Sequence, residues 1–238
     1  MTPGTLYVVA TPIGNLEDIT LRALRVLKEV GLVACEDTRR TRTLLTHFGI
    51  HVPVTSYFEH NKLFKGPAIL KTLRDGRSVA LVTDAGTPGI SDPGFLLVRD
   101  AREAGIPVVP VPGPSAVVAA LSASGIPADS FVFDGFLPVK PGKRVHRLES
   151  LRALEMTCVC YESPHRILAA LEAIGQVFGQ IEIIVARELT KQFEEIARGT
   201  PEALRERFAA AAVRGEFTLV IPYTKSPQSD ERAGSAAR

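Results

Sequence analysis

Val79-Ala80-Leu81-Val82, then Thr83-Asp84-Ala85-Gly86-Thr87-Pro88-Gly89-Ile90-Ser91-Asp92-Pro93-Gly94, then a stretch from Phe95 to Ala104 closed by Gly105, follow one another without a gap. The first is a short β-branched apolar run, the second is rich in glycine and proline, and the third has helical spacing. A buried strand, a stiff loop and a helix in that order are the repeating unit of an open α/β sheet. Outward from it, residues 6–10, 30–35 and 108–111 read as further strands. Between them Leu21, Leu24, Leu27 and Val30 recur three apart, and Thr38 reads as the cap of a helix that stops at Gly49. Residues 70–75 read as helix ending at Gly76, and an Ala-rich helix starts at Ser115.

The second half reads as richer in strands, at residues 131–133, 157–161, 181–186, 193–197 and 217–222. Ser163-Pro164 and Thr200-Pro201 each place a cap residue before a proline suited to the first helical position, with Gly175 and Gly215 as the stops. Ser-Gly-Ile-Pro near residues 124–127 breaks the pattern, which divides the chain into domains at 1–124 and 125–225. The polar, small-residue stretch 226–238 reads as a disordered tail.

With 238 residues there is room for two compact halves, and 45% hydrophobic with 23% charged residues is ordinary for a globular protein. Charges interrupt every apolar run well short of the roughly 18 to 20 residues that cross a bilayer, and no basic segment leads into a long apolar core at the start. A cytoplasmic protein without a membrane partner is expected. Cys35, Cys158 and Cys160 lie in apolar, strand-like surroundings and offer no second pair for a tetrahedral site, so buried thiols and no metal are expected. The 28 basic and 26 acidic residues nearly cancel, so any nucleic-acid site must be a local patch.

The loop 83–94 is a ligand loop by position, because ligands collect at the carboxyl ends of strands in such sheets and glycine admits close backbone approach. Thr11-Pro12-Ile13-Gly14-Asn15 follows the first strand and Pro110-Val111-Pro112-Gly113-Pro114-Ser115 ends the strand at 108–111. Three stiff loops at strand ends predict one shared cleft. No G-x-G-x-x-G or G-x-x-x-x-G-K motif is present, which favours a ligand without a phosphate anchor.

Together, residues 9–20, 36–39 (Glu-Asp-Thr-Arg), 84–94, 112–116, 161–166 (Tyr-Glu-Ser-Pro-His-Arg) and 187–191 (Arg-Glu-Leu-Thr-Lys) resemble the tetrapyrrole methylase superfamily, and more narrowly its ribosomal RNA branch. The likeness spans about residues 5–222. Corrin and porphyrin members carry a G-x-G-P-G-D type loop after the first strand, where this chain has Thr-Pro-Ile-Gly-Asn. The resemblance implies a two-domain α/β fold with a mostly parallel sheet first and a mixed sheet second. It also implies a homodimer, S-adenosylmethionine as cofactor, and methylation of the ribose 2'-oxygen of a cytidine in 16S rRNA of the small ribosomal subunit. A corrin or porphyrin methyltransferase and a non-catalytic RNA-binding assembly factor are the rival readings.

The cofactor cleft that the resemblance implies lies between the two domains. Its expected lining is Pro12, Gly14, Asp84, Ala85, Gly86, Thr87, Pro88, Gly89, Pro112, Gly113, Ser115, Ala116 and Tyr161. A ribose hydroxyl is a poor acid, so a carboxylate or imidazole is expected to receive its proton, with Glu36, Asp37, Asp84, Glu162, His165 and Glu188 as candidates. Each also has a plainer reading: Asp84 fastening its turn, Glu188 pairing with Lys191, Glu162 or His165 supporting the next helix. Candidate RNA contacts are Arg39, Arg40 and Arg42, the run Lys140, Lys143, Arg144 and Arg147, and Arg166.

Overall fold

The computed structural model describes residues 2–92, 94–210 and 213–223; the expected tail at 226–238 lies outside the described residues. The chain divides into two compact units, the first Met1–Ala116 and the second from Val117 onward.

In the first unit β1 (Leu6–Val9), α1 (Leu21–Glu29), β2 (Leu32–Cys35), α2 (Thr38–His47), β3 (Val54–Ser56), α3 (Lys62–Arg74), β4 (Val79–Leu81), α4 (Phe95–Glu103) and β5 (Val108–Val111) alternate. All strand pairs are parallel, in the order β3-β2-β4-β1-β5. Period two sorts the side chains onto two faces. Val33, Cys35, Ala80 and Val82 pack with α1 and α2 through Val26, Leu27 and Leu45. Ala34, Val79 and Leu81 face the other way, onto Leu70, Leu73 and Leu97 of α3 and α4. Each such leucine contributes about 1.5 to 3 kcal/mol by leaving water. The sheet is therefore covered on both sides, which is why its strands are apolar throughout rather than alternating.

Two local expectations for this unit need correction. Leu21 is 86% exposed, and the buried face of α1 is Ala23, Val26 and Leu27. Asp37, not Thr38, caps α2, its carboxylate accepting from the Arg39 amide. A carboxylate is the stronger acceptor there and also suits the positive end of the helix dipole.

The second unit follows α5 (Ala116–Ser124) with β6 (Phe131–Phe136), α6 (Pro141–Arg152), β7 (Thr157–Glu162), α7 (Ile167–Phe178), β8 (Ile183–Arg187), β9 (Glu195–Gly199), α8 (Pro201–Ala209) and β10 (Phe217–Ile221). Its sheet is mixed, in the order β6-β7-β10-β8-β9, with β6 and β7 parallel and the remaining pairs antiparallel. Cys158, Cys160, Val185, Phe217 and Leu219 form one core with Leu148 and Leu151 of α6, Leu171 and Ile174 of α7, and Leu204 of α8.

Thr200 caps α8 and Pro201 starts it, as the sequence indicates. Ser163 does not cap α7: residues 164–166 form a turn first, and the Ser163 carbonyl accepts from the amides of Arg166 and Ile167. Gly175 sits inside α7, which stops at the left-handed Gly179, and α8 ends at Ala209, before Gly215. All three cysteines are buried and unpaired; burial raises the Cys158 thiol to about 11 and pushes Cys160 up further, so both are inert thiols. Among the described residues no helix is long and apolar enough to cross a membrane.

Candidate active site

β4, β1 and β5 are neighbours, so the loops that leave their carboxyl ends begin side by side. The Thr11 amide donates to the Gly86 carbonyl at 2.9 Å, and the Gly86 amide returns a bond to the Thr11 carbonyl at 3.0 Å. The Thr11 hydroxyl adds a bond to the Thr83 carbonyl at 3.0 Å. Gly86 holds φ +85°, which an L side chain rarely adopts. Both of its backbone groups are thus engaged with Thr11, so it locks two loops together instead of presenting free amides to a ligand. After β5, a Cβ on Gly113 would stand 3.0 Å from the Ala10 Cβ. After β4, a Cβ on Gly94 would stand 2.8 Å from the Gly89 nitrogen, so loop 83–94 folds back on itself where neither position carries a side chain.

Of the other cofactor candidates, Pro12 and Pro88 are buried, Thr87 and Ser115 are half-buried, and Gly14, Ala85, Gly89, Pro112 and Gly113 are exposed. Ala116 is the first residue of α5. A cavity of about 250 Å³ opens among Thr11, Pro12, Leu16, Arg40, Leu44, Thr83 and Asp84.

Four acids gather beside Thr83. One Glu36 oxygen lies 3.5 Å from the Thr83 hydroxyl. Asp84 accepts from the Asp37 amide at 3.0 Å and meets Arg40 at 3.4 Å, so it ties the loop after β4 to the start of α2. Asp37 is held down to about 2 by hydrogen bonds from the Arg39 side chain and amide. Burial, then the Asp84 charge, raises Glu36, against the Thr83 hydroxyl. Burial likewise raises Asp92 to about 6, again opposed by Thr83 and reinforced by Glu36 and Asp84. Asp92, Thr11 and Thr83 are members that sequence reasoning did not single out. Asp92 stands nine residues after Thr83 in the quoted loop, and only the fold-back at Gly89 and Gly94 brings it home.

The C-terminal candidates fall into separate groups. Tyr161 packs edge-on against Phe133 and Phe136, with ring centroids 4.8 and 5.8 Å away. Glu162 is buried, accepts from the Ser163 amide at 2.8 Å and pairs with Arg166, whose guanidinium also donates to the Leu137 carbonyl. Burial raises its pKa, against that amide and the charges of Arg166 and Arg144. His165 is exposed. Glu188 pairs with Lys191 at 2.7 Å and accepts from the Glu216 amide at 3.0 Å, in a turn where Glu188 and Thr190 both hold positive φ. Partial burial opposes these bonds, but they lower its pKa.

Among the basic candidates, Arg42, Lys140 and Lys143 are exposed, Arg39 is tied to Asp37, and Arg147 to Asp134. Arg144 does not belong to the exposed run: it is 5% exposed and donates to the Val139 carbonyl at 3.1 Å.

The profile of the tetrapyrrole (corrin/porphyrin) methylases matches residues 5–205. A protein of Mesorhizobium japonicum named ribosomal RNA small subunit methyltransferase I is 52% identical over 230 residues, covering 96% of this chain and 78% of its own. Its namesake in Pseudomonas aeruginosa is 48% identical over 241 residues, covering 100% and 85%. The solved structure of a cobalt precorrin-4 methyltransferase superposes with TM-score 0.70 at 19% identity, covering 92% of this chain and 94% of that one. A diphthine synthase gives 0.71 at 16%, covering 94% and 92%. At those identities the two structures bear on the fold alone.

Proposed function

Because the chain belongs to the tetrapyrrole methylase family, in the group of the ribosomal RNA small subunit methyltransferase I proteins, we propose that it methylates the ribose 2'-oxygen of a cytidine in 16S rRNA. S-adenosylmethionine is the methyl donor and supplies an activated methyl group on a sulfonium. The residues present fit it: the loops after β1, β4 and β5 are closed by positions such as Gly113, where a Cβ would crowd Ala10, and carry no phosphate fingerprint. The observation that carries this reading is the reciprocal Thr11–Gly86 pairing, which fixes the ends of two neighbouring parallel strands as one rigid platform.

Methyl transfer needs alignment, exclusion of water and removal of one proton. The loop residues Pro12, 84–89 and 112–116 serve the first two tasks. For the third, Glu36 is the best of the candidates. Asp37 and Asp84 are engaged with Arg39 and Arg40, and Asp37 is too weak a base, whereas Glu36 is raised and meets only the Thr83 hydroxyl, at 3.5 Å, among the described residues. Glu162 is enclosed and its oxygens are occupied, which suits a structural ion pair. Exposed cations on α2 and α6 meet the RNA, and the protein acts as a homodimer.

The test is to incubate the protein with labelled S-adenosylmethionine and small subunits that lack the modification, and to map the label. Label on a cytidine ribose supports the reading. Label on a base, or on a corrin or porphyrin offered in parallel and not on RNA, overturns it.

A further inference from the structure

Resting on that RNA reading, we propose that the first turn of α6 binds one phosphodiester of the RNA, with Lys140 and Lys143 at its rim and Arg144 as the charge beneath it. α6 is twelve residues long, its N-cap is Lys140 with no side-chain cap, and its first turn holds no acid. The first amides of a helix have no partner within the helix and carry about half a positive charge, which acids relieve and lysines aggravate. Two lysines at an uncapped N-terminus break that local rule. Gly142, between Pro141 and Lys143, is exposed, with nothing within 4 Å of where a Cβ would stand, so the turn is open to a ligand. Lys140 and Lys143 make no ion pair among the described residues.

The independent observation lies underneath. Arg144 is 5% exposed and reaches back to the Val139 carbonyl, ahead of the helix start, while its Nε and Nη1 are buried without an acceptor among the described residues. The carboxylate close enough to feel it, Glu162, is bonded to Arg166 and the Ser163 amide. The partly exposed Arg166 takes up that carboxylate, so the buried Arg144 guanidinium has no ion-pair partner among the described residues, an arrangement that is unfavourable without an anion nearby. An anion held by the amides of the turn supplies it, as at other helix N-termini. The group sits where the parallel strands β6 and β7 end, under the loop from Leu137 to Lys140.

The decisive variant is Gly142→Glu, which fits the open space and favours the helix but puts a negative charge where the phosphate goes. Binding of a 16S rRNA fragment to the full chain is measured over a potassium chloride series. The expected result is weaker binding with the log–log salt slope reduced by about 0.7, one single-stranded phosphate contact, and unchanged thermal midpoint and S-adenosylmethionine affinity. Arg144→Met is expected to weaken RNA binding while leaving the free protein at least as stable. Wild-type affinity and slope in Gly142→Glu, with the wild-type protein methylating RNA, overturn the site alone. A wild-type protein that neither binds nor methylates RNA overturns the functional reading with it.

Discussion

Glu36 and Asp37 are adjacent, yet their proton affinities move apart because one is set against burial and the Asp84 charge and the other against Arg39. Glu36→Gln is expected to lower kcat by about 100- to 10,000-fold, the usual range for a lost general base, with little change in S-adenosylmethionine affinity by calorimetry. Equal activity in the variant removes Glu36 from the mechanism. Asp92 has a different signature. Its carboxyl is at about 6 in the folded chain, above the ordinary 3.8. Between those values the folded state holds the extra proton, so its contribution to stability falls as pH rises from about 4 to 6 and stays lost above. Asp92→Asn is expected to raise the urea midpoint at pH 8, the gain vanishing by pH 4; a gain independent of pH refutes this. Residue types in the loop were legible from the chain, but this coupling was not, because it depends on backbone that only Gly89 and Gly94 can bring together.

Elements were legible where a side chain and its backbone target are close in sequence. Thr200-Pro201 announces α8, and the Thr200 hydroxyl accepts from the Ala203 amide at 3.3 Å. Ser163-Pro164 has the same form, but the extra turn at residues 164–166 moves the start of α7 to Ile167, and Arg166 turns back to Glu162 and Leu137. The i,i+4 pair with Glu162 and the bond to the distant Leu137 carbonyl outweighed the local cap. Thr200→Ala is therefore expected to cost about 1 kcal/mol in chemical denaturation, and Ser163→Ala less than half of that; equal losses contradict the assignment. β3 escaped notice because Val54–Ser56 is three residues long with none of them buried, so it carries no apolar pattern. The four other strands of that sheet are largely apolar and were visible from composition alone.

At the scale of the molecule, the alternation of strand and loop foretold the α/β class, but neither the strand order nor the pairing of charges is written in spacing. The formal charge is only +2, so if the proposed RNA is the substrate its affinity rests on cations that no acid already neutralises. Of the eight candidates, Arg39, Arg40, Arg147 and Arg166 are in ion pairs and Arg144 is buried, leaving Arg42, Lys140 and Lys143 exposed without an ion pair among the described residues. A paired arginine must first give up its carboxylate to meet a phosphate, so it gains less by the exchange and is the less favoured of two phosphate contacts. Arg42→Ala is accordingly expected to reduce the salt slope of RNA binding by about 0.7, the value for one single-stranded phosphate. Arg39 lies on the same helix but is tied to Asp37 through two nitrogens, so Arg39→Ala is expected to change the slope by less than half as much. If both variants lose the same slope, the ion pair of Arg39 opens on binding, and pairing in the free protein ceases to predict which cations the RNA meets.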